Sequence, residues 1–415
     1  MVYDAIVVGA GAAGLMTAIT AGKAGAKVLL LDSREKIGAK ILMSGGTRCN
    51  VTNETVSDKD YNSSDLMRVR NILKAFSNKD TVQFFKSIGV DLVLEKDLDG
   101  NSDRGRGGKY FPRSNSGKTV LEALMKEIAK ARVELIAPAK VTDIKYVNEA
   151  YVLKAGDSTY HAKQVVIATG GLSYPATGSD GVGYQLAKQM GHHLVATSAA
   201  LTPFNSNDKI FNELSGISLV LTLTLKDDGK KKFSTTDGFL FTHNGFSGPA
   251  ALDMSRHYLR ATGKKVIEVN FLPHFNDGTF TDAIAKMIID HPKKTAKNFL
   301  TQWMPERLAL AVLLKARVAP ATVLNQLKKD RRISLLNTCL HHPLEVTGVI
   351  GYSKAEVTAG GINLNQLNPK TLESLHQKGL YFVGEICDVD GRIGGFNFQW
   401  AWASGFLAGR AIASN

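Results

Sequence analysis

Cysteine is nearly absent from this chain: Cys49, Cys339 and Cys387 are the only three in 415 residues, and no two form a Cys-x-x-Cys pair. An odd, scattered set argues against a disulfide scaffold and a zinc site, so no metal is expected and a reducing cytoplasm fits. Apolar runs long enough to span a bilayer are also missing. The apolar start, Val2 to Leu15, has no basic stretch before it and is interrupted by Gly9, Gly11 and Gly14. It reads as buried strand and turn, not as a secretory leader. No internal repeat or low-complexity tract is visible. Acidic residues are in short supply: 38 Asp and Glu against 51 Lys and Arg leave a net charge of +13. That surplus attracts polyanions, so RNA, DNA or an anionic cofactor are candidate partners, beside the plainer alternative of a soluble basic enzyme.

What is present is globular, 44% hydrophobic, and long enough for two or three domains. Tyr3 to Val8 has no polar alternation after Asp4, as a strand covered on both faces would read. Ala12 to Ala24 is small and apolar at helical spacing, and Lys27 to Leu31 is a second buried strand closed by Asp32. This βαβ unit predicts a parallel sheet. Helices are predicted over 65–90, Val120 to Ala131 and Tyr184 to Met190, and strands over 133–167. The texture changes near Leu201-Thr202-Pro203. Leu219 to Leu225 alternates as a half-buried strand does. From Phe280 to about Asn337 the pattern is helical and basic, with eleven Lys/Arg against five Asp/Glu between Thr279 and Glu345. Past Val346 the first texture returns, with a strand at Leu380 to Val383 and a helix from Trp400 to Ala411. The expected fold class is α/β. A discontinuous Rossmann-like domain, residues 1–199 and 346–415, holds an inserted domain that is β-rich over 200–275 and helical over 276–345.

Gly9-Ala10-Gly11-Ala12-Ala13-Gly14 follows the first strand and opens the first helix. Gly9 permits the turn, Gly11 lets backbone approach a pyrophosphate, and Gly14 lets helix and strand pack closely. The helix N-terminus offers free N–H groups to the phosphates. Asp32, with Ser33 beside it, can accept hydrogen bonds from adenosine ribose. A purely structural glycine turn is the alternative. The glycines do not separate FAD from NAD, but the stretch Lys36 to Asn50 favours FAD. It surrounds Ser44 and Gly46 with backbone donors and two fixed cations, Lys40 and Arg48. It suits an extended ligand running past its pyrophosphate to a second ring system, where a cation stabilises reduced flavin. Ala168-Thr169-Gly170-Gly171 ends a buried strand close to such a ligand. Gly384-Glu385 ends another, and Gly394-Gly395-Phe396-Asn397 leads into the closing helix, whose positive end can face a flavin. Glu385, Asp388 and Asp390 would hold ribityl hydroxyls, cap the helix or act as acids. Cys49, Asn50 and Val141 complete the candidate FAD contacts.

These segments taken together resemble the bacterial BaiN/RdsA-like NAD(P)/FAD-dependent flavoprotein family, relatives of the two-dinucleotide-binding flavoproteins. The resemblance runs through Gly9 to Gly14, Gly38 to Asn53, Ala168 to His192, Thr242 to Pro249, Val346-Thr347 with Ala359-Gly360-Gly361, and Leu380 to Gly409. Gly46-Thr47 departs mildly from the family form, and Asp32 stands where Glu is common. The resemblance implies an FAD domain with an inserted β-plus-helical domain, and reductase chemistry on activated C=C bonds. Some such proteins act on unsaturated bile-acid intermediates. Others reduce a uridine of large-subunit ribosomal RNA to dihydrouridine.

Reduction of a conjugated C=C bond takes a hydride from reduced flavin and a proton from an acid. Cys49 is the first candidate acid, because the resemblance puts its loop near the flavin; a merely packing cysteine is the alternative. His243, on the Thr242 to Gly245 turn, is the second; a hydrogen-bonded loop histidine is its alternative. No second Gly-x-Gly-x-x-Gly follows a strand, so NAD(P)H is expected as a transient electron donor without a dedicated domain, with another electron donor as the alternative. Arg104, Arg106 and Lys109, with Tyr110 and Phe111 among them, and Lys328, Lys329, Arg331 and Arg332 are candidate RNA contacts. Three readings follow: a ribosomal RNA uridine reductase, a reductase of a small-molecule enone, and a non-catalytic RNA-associated flavoprotein.

Overall fold

The computed structural model describes residues 2–95 and 108–414. They form two compact units, one running to Ala200 and resuming at Tyr352, the other spanning Leu201–Gly351. The second break lies beyond the change of texture near Val346 for a physical reason. Gly348–Val349 is a strand that pairs with Phe204–Asn205, which ties it to the second unit.

In the first unit, Glu134–Ile136, Val28–Leu31, Val2–Val8, Ser158–Ile167 and Leu380–Phe382 lie side by side and parallel. Val28 to Leu31 are at most 1% exposed, which explains their unbroken apolar run. This is the parallel sheet that the βαβ reading predicted, extended on one side by an antiparallel hairpin. Ser158–Ile167 also pairs antiparallel with Ala150–Ala155, and that strand with Val141–Val147. The cause is local. Asn148 and Glu149 both take positive φ, 49° and 62°, closing a two-residue hairpin that returns the chain antiparallel.

The closing helix Phe396–Ser414 packs on the first helix Ala12–Lys23 through small residues. Trp400 and Trp402 on it are 1% and 0% exposed. Each contributes about 5 kcal/mol of transfer free energy at ~25 cal/mol/Å². Their indole N–H groups donate to Gly384 O (2.9 Å) and Val51 O (3.0 Å). Fully buried Gln399 accepts from Thr52 and Thr81 hydroxyls at 2.7 and 2.8 Å and donates to Phe76 O at 3.0 Å. The C-terminal helix is thereby fixed to backbone from the first hundred residues.

The second unit is built on an antiparallel sheet, ordered His342–Leu344, Lys265–Asn270, Ser218–Asp227, Lys230–Thr242, Gly245–Ser247, Phe204–Asn205, Gly348–Val349. Leu221, Leu223 and Leu225 point inward at 0% exposure, as the alternation required. The division into a β-rich and a helical half is less clean than the texture implied. Helix Pro249–Arg260 lies in the first half, and His342–Leu344 joins the sheet from the second.

Candidate functional site

The first unit brings its glycine motifs together where parallel strands end. Gly9 leaves the first strand with φ 108°, beside Ala168 and Thr169 at the end of Ser158–Ile167. Gly14 presses on the turn: a Cβ there would lie 1.8 Å from Gly9 O. Gly11 differs. It caps the first helix with φ −81° and ψ −171°, and a Cβ on it would meet no atom within 4 Å. The space in front of the helix N-terminus is therefore open, as a pyrophosphate requires. Ala12 and Ala13 form its first turn, and a Cβ on Gly384 would touch the Ala13 side chain at 2.8 Å.

Asp32 stands at one end of this cradle. Its carboxylate accepts from Ala10 N–H (2.6 Å) and Arg34 N–H (2.8 Å), yet burial dominates and raises its pKa above the ordinary carboxylate value. Ser33 lies next to Gly178. Ala139 N–H donates to Asp32 O at 2.6 Å, which brings the chain just before buried Val141 to the same end.

At the middle of the cradle the structure joins three separate segments through one carboxylate. Lys40 Nζ donates to Glu385 Oε2 at 2.6 Å and to Ser173 Oγ at 2.8 Å. Glu385 Oε1 accepts from Thr358 N–H (3.0 Å), Thr358 Oγ1 (2.9 Å) and the Ser173 hydroxyl. A Cβ on Gly170 would lie 2.6 Å from Ser179 Oγ and 3.7 Å from Lys40 Nζ. Sequence reasoning singled out Lys40, Thr169, Gly170 and Glu385 but not Thr358, which sits in the wholly buried strand Val357–Ile362. The one signal for it was a hydroxyl inside an otherwise apolar run. Glu385→Ala is expected to lower the stability of this unit by about 2–4 kcal/mol, since it strands a half-buried ammonium. Glu385→Gln, which keeps most acceptors, should cost less. Denaturant titration checks this, and equal midpoints for the alanine variant and the parent would refute it.

The remaining contacts form a third group. The Ser44 hydroxyl donates to Ile41 O at 3.2 Å, and Gly46 takes φ 67° in the exposed turn that follows. With its amide oriented to suit its neighbours, Asn50 donates to Thr52 O and accepts from Gly395 N–H, both at 3.0 Å. Asn53 Nδ2 donates to Gly394 O at 3.0 Å. Asn397 brackets Gly391 with two hydrogen bonds of 2.8 and 3.0 Å. Phe396 is fully buried beneath the Arg392 guanidinium, and Asp390 Oδ2 accepts from Asn62 Nδ2 at 3.1 Å. Arg48 is held by Glu95 (3.1 Å), by Gly45 O (3.1 Å) and over the Phe111 ring at 4.2 Å.

The two candidate proton donors are placed very differently. Cys49 is 0% exposed, and burial pushes its thiol up to about 12. No substrate atom reaches that sulfur in this conformation, and its surroundings suit a packing role. His243 belongs to the second unit and is exposed in the turn between Lys230–Thr242 and Gly245–Ser247.

Among the RNA candidates, Arg104 and Arg106 lie outside the described residues. Lys109 sits in strand Lys109–Pro112, 3.6 Å from Glu95. Phe111 on the same strand is 1% exposed and lies under Arg48, so it is not open to stack on a base. Lys328 and Lys329 are exposed at the start of helix Lys329–Leu340. Arg331 faces Asp330 at 3.6 Å, and Arg332 donates to Leu327 O at 2.9 Å. Among the described residues, no cluster of three His, Cys, Asp or Glu could hold a metal, and no helix is long and apolar enough to cross a membrane.

The open space at Gly11, the acidic strand end at Asp32 and the cation at Lys40 fit an FAD. Comparison with known proteins points the same way. Residues 3–411 match the family model described as HI0933-like protein Rossmann domain. The chain is 32% identical over 412 residues to 3-dehydro-bile acid delta(4,6)-reductase of Clostridium scindens, covering 98% of each chain. It is 33% identical over 413 residues to ribosomal RNA dihydrouridine synthase of Escherichia coli, covering 99% of this chain and 98% of that one. The solved 3-ketosteroid-delta4-(5alpha)-dehydrogenase of Rhodococcus jostii matches in fold, with TM-score 0.52 at 16% identity over 100% of this chain and 97% of that one.

Proposed function

Because this chain belongs to the HI0933-like Rossmann-domain family, a family of FAD-dependent oxidoreductases, we propose that it reduces an activated C=C bond and that the bond is C5=C6 of a uridine in large-subunit ribosomal RNA. When bound and reduced by the electron donor, FAD would supply a hydride to one carbon of the bond, and a proton would complete the addition at the other. The chain's own part is to hold and polarise the cofactor. Gly11 and the first helix receive the pyrophosphate, Asp32 the adenosine ribose, and the Glu385–Lys40–Ser173–Thr358 cluster locks three cofactor loops together. NAD(P)H serves as the electron donor in this reading, docking transiently.

Identity does not choose the substrate, since the bile-acid reductase and the ribosomal RNA enzyme are equally similar. Charge is the observation that favours RNA: +13 over 415 residues, with 20 Lys/Arg against 13 Asp/Glu in the second unit, a net of +7 in the smaller of the two units. A bile-acid-like steroid offers such a surface one carboxylate at most, whereas the phosphodiester backbone of RNA offers a line of charges. Mass-spectrometric mapping of ribosomal RNA from cells with and without the gene is the test. Loss of one dihydrouridine from the large-subunit RNA is expected. Unchanged dihydrouridine, with the purified protein reducing a steroid enone, would place the chain with the bile-acid enzyme.

A further inference from the structure

The second unit carries a basic patch at a place the sequence did not single out. Strand Ser218–Asp227 turns into Lys230–Thr242 through Asp228 and Gly229, whose φ values of 48° and 76° close a two-residue hairpin. Three lysines follow at once: Lys230, Lys231 and Lys232, all exposed. The sheet then brings a distant segment alongside. Asp227 pairs with Lys230 on one side and Lys265 on the other, so Lys264 and Lys265 flank the same tip.

The two aspartates at this tip lower its charge without cancelling it, because six lysines, Lys226, Lys230, Lys231, Lys232, Lys264 and Lys265, outnumber them. Asp227 Oδ1 accepts from Gly263 N–H and Asp228 Oδ1 from Lys264 N–H, each at 2.8 Å. Both carboxylates are committed to joining the turns. Lys226 is paired with Glu268 at 2.6 Å, and Lys265 lies over the Tyr258 ring at 4.7 Å. Among the described residues, Lys230, Lys231 and Lys232 have no carboxylate within ion-pair distance. Lys231 even stands directly across from Lys226, a like-charge pairing that costs stability. A tip that collects lysines from two turns, more of them than its own acids can offset, is suited to a dense line of negative charge.

We propose that this lysine-rich hairpin tip is a docking surface for the phosphate backbone of RNA. The inference rests on the RNA reading above and deepens it by naming where the backbone is held. Phosphate contacts position a nucleic acid without reading its sequence. The tip thus contributes affinity and orientation, and base choice lies elsewhere.

The test uses the full-length flavin-loaded protein and a transcript of large-subunit ribosomal RNA. Binding is measured against salt for the parent, for K230Q/K231Q/K232Q and for K328Q/K329Q. The hairpin variant is expected to keep its flavin and to lose roughly fivefold in affinity per missing contact near physiological salt. Its log–log salt slope should be about 2–3 units shallower. The helix variant should change less. An unchanged slope in the hairpin variant, with the parent binding RNA steeply, overturns this surface and leaves the RNA reading standing. A parent that shows no salt-dependent RNA binding overturns both. A hairpin variant that self-associates while keeping its RNA affinity also overturns the proposal, because the lysines would then be guarding a strand edge. So does loss of binding to phosphatidylserine vesicles with RNA binding intact, which would make the partner a membrane surface.

Discussion

Alanine at Gly14 is expected to abolish flavin-loaded protein altogether, whereas alanine at Gly11 should leave a folded one that holds its flavin more weakly. The two glycines stand three residues apart in one motif, but they face different things. A Cβ at position 14 lands 1.8 Å from Gly9 O and 3.3 Å from the Ala168 side chain. Backbone on two strands would have to move, and such forced overpacking costs about 3 kcal/mol or more in a core with no spare room. Position 11 has extended φ and ψ that any residue adopts, and free space where the Cβ would go. The apoprotein with Gly11→Ala should therefore match the parent within about 0.5 kcal/mol. Its FAD affinity should fall by about a hundredfold, near 3 kcal/mol, because the methyl occupies the approach to the helix N-terminus. Flavin absorbance, soluble yield and melting temperature separate the outcomes. A Gly11→Ala protein that retains flavin at parental affinity would remove the pyrophosphate from this turn.

The difference between those glycines marks how far sequence carries. The motif, its strand and its helix were readable from spacing alone, because each rests on local backbone geometry. So were the buried strands at Val28 to Leu31 and Leu380 to Phe382, which burial on both faces obliges to be apolar. Convergence was harder. Nothing local in Thr358 or Ser173 announces that they meet Glu385, since the contacts span 27 and 212 residues in sequence. Only the sheet's topology brings them together. Phe111 shows the opposite failure. Among basic residues it reads as a stacking platform, yet strand pairing with Leu92–Leu94 turns it inward beneath Arg48. The hairpin lysines were visible as charge, but only the sheet pairing of Asp227 with Lys230 and Lys265 brings the second lysine turn alongside.

Acidification should destabilise both units through one buried and one partly buried histidine, and mostly between pH 6.5 and 4. His192 in the first unit is 2% exposed and packs against the Phe382 and His376 rings, and burial lowers its pKa from 6.5 to about 4. In the second unit, His257 stacks on Phe233 at 3.7 Å; burial, then the neighbouring Arg256 charge, lower it to about 4 as well. The folded protein resists the proton that the unfolded chain accepts. As pH falls below 6.5 the unfolded state binds a proton at each site and the folded state does not, so stability drops until both are protonated near pH 4. A shift of this size corresponds to about 3 kcal/mol per histidine over that window. Carboxylates held below their ordinary value, such as Asp4 and Asp180, add a further loss at lower pH. The windows therefore separate by residue type. Replacing His192 with glutamine should flatten the pH dependence of unfolding free energy by about 1.4 kcal/mol per pH unit between 6 and 4.5, as the loss of one linked proton requires. His257→Gln should do the same for the second unit. If the slope in that range stays as steep in both variants, the acid sensitivity arises from the carboxylates and not from these rings.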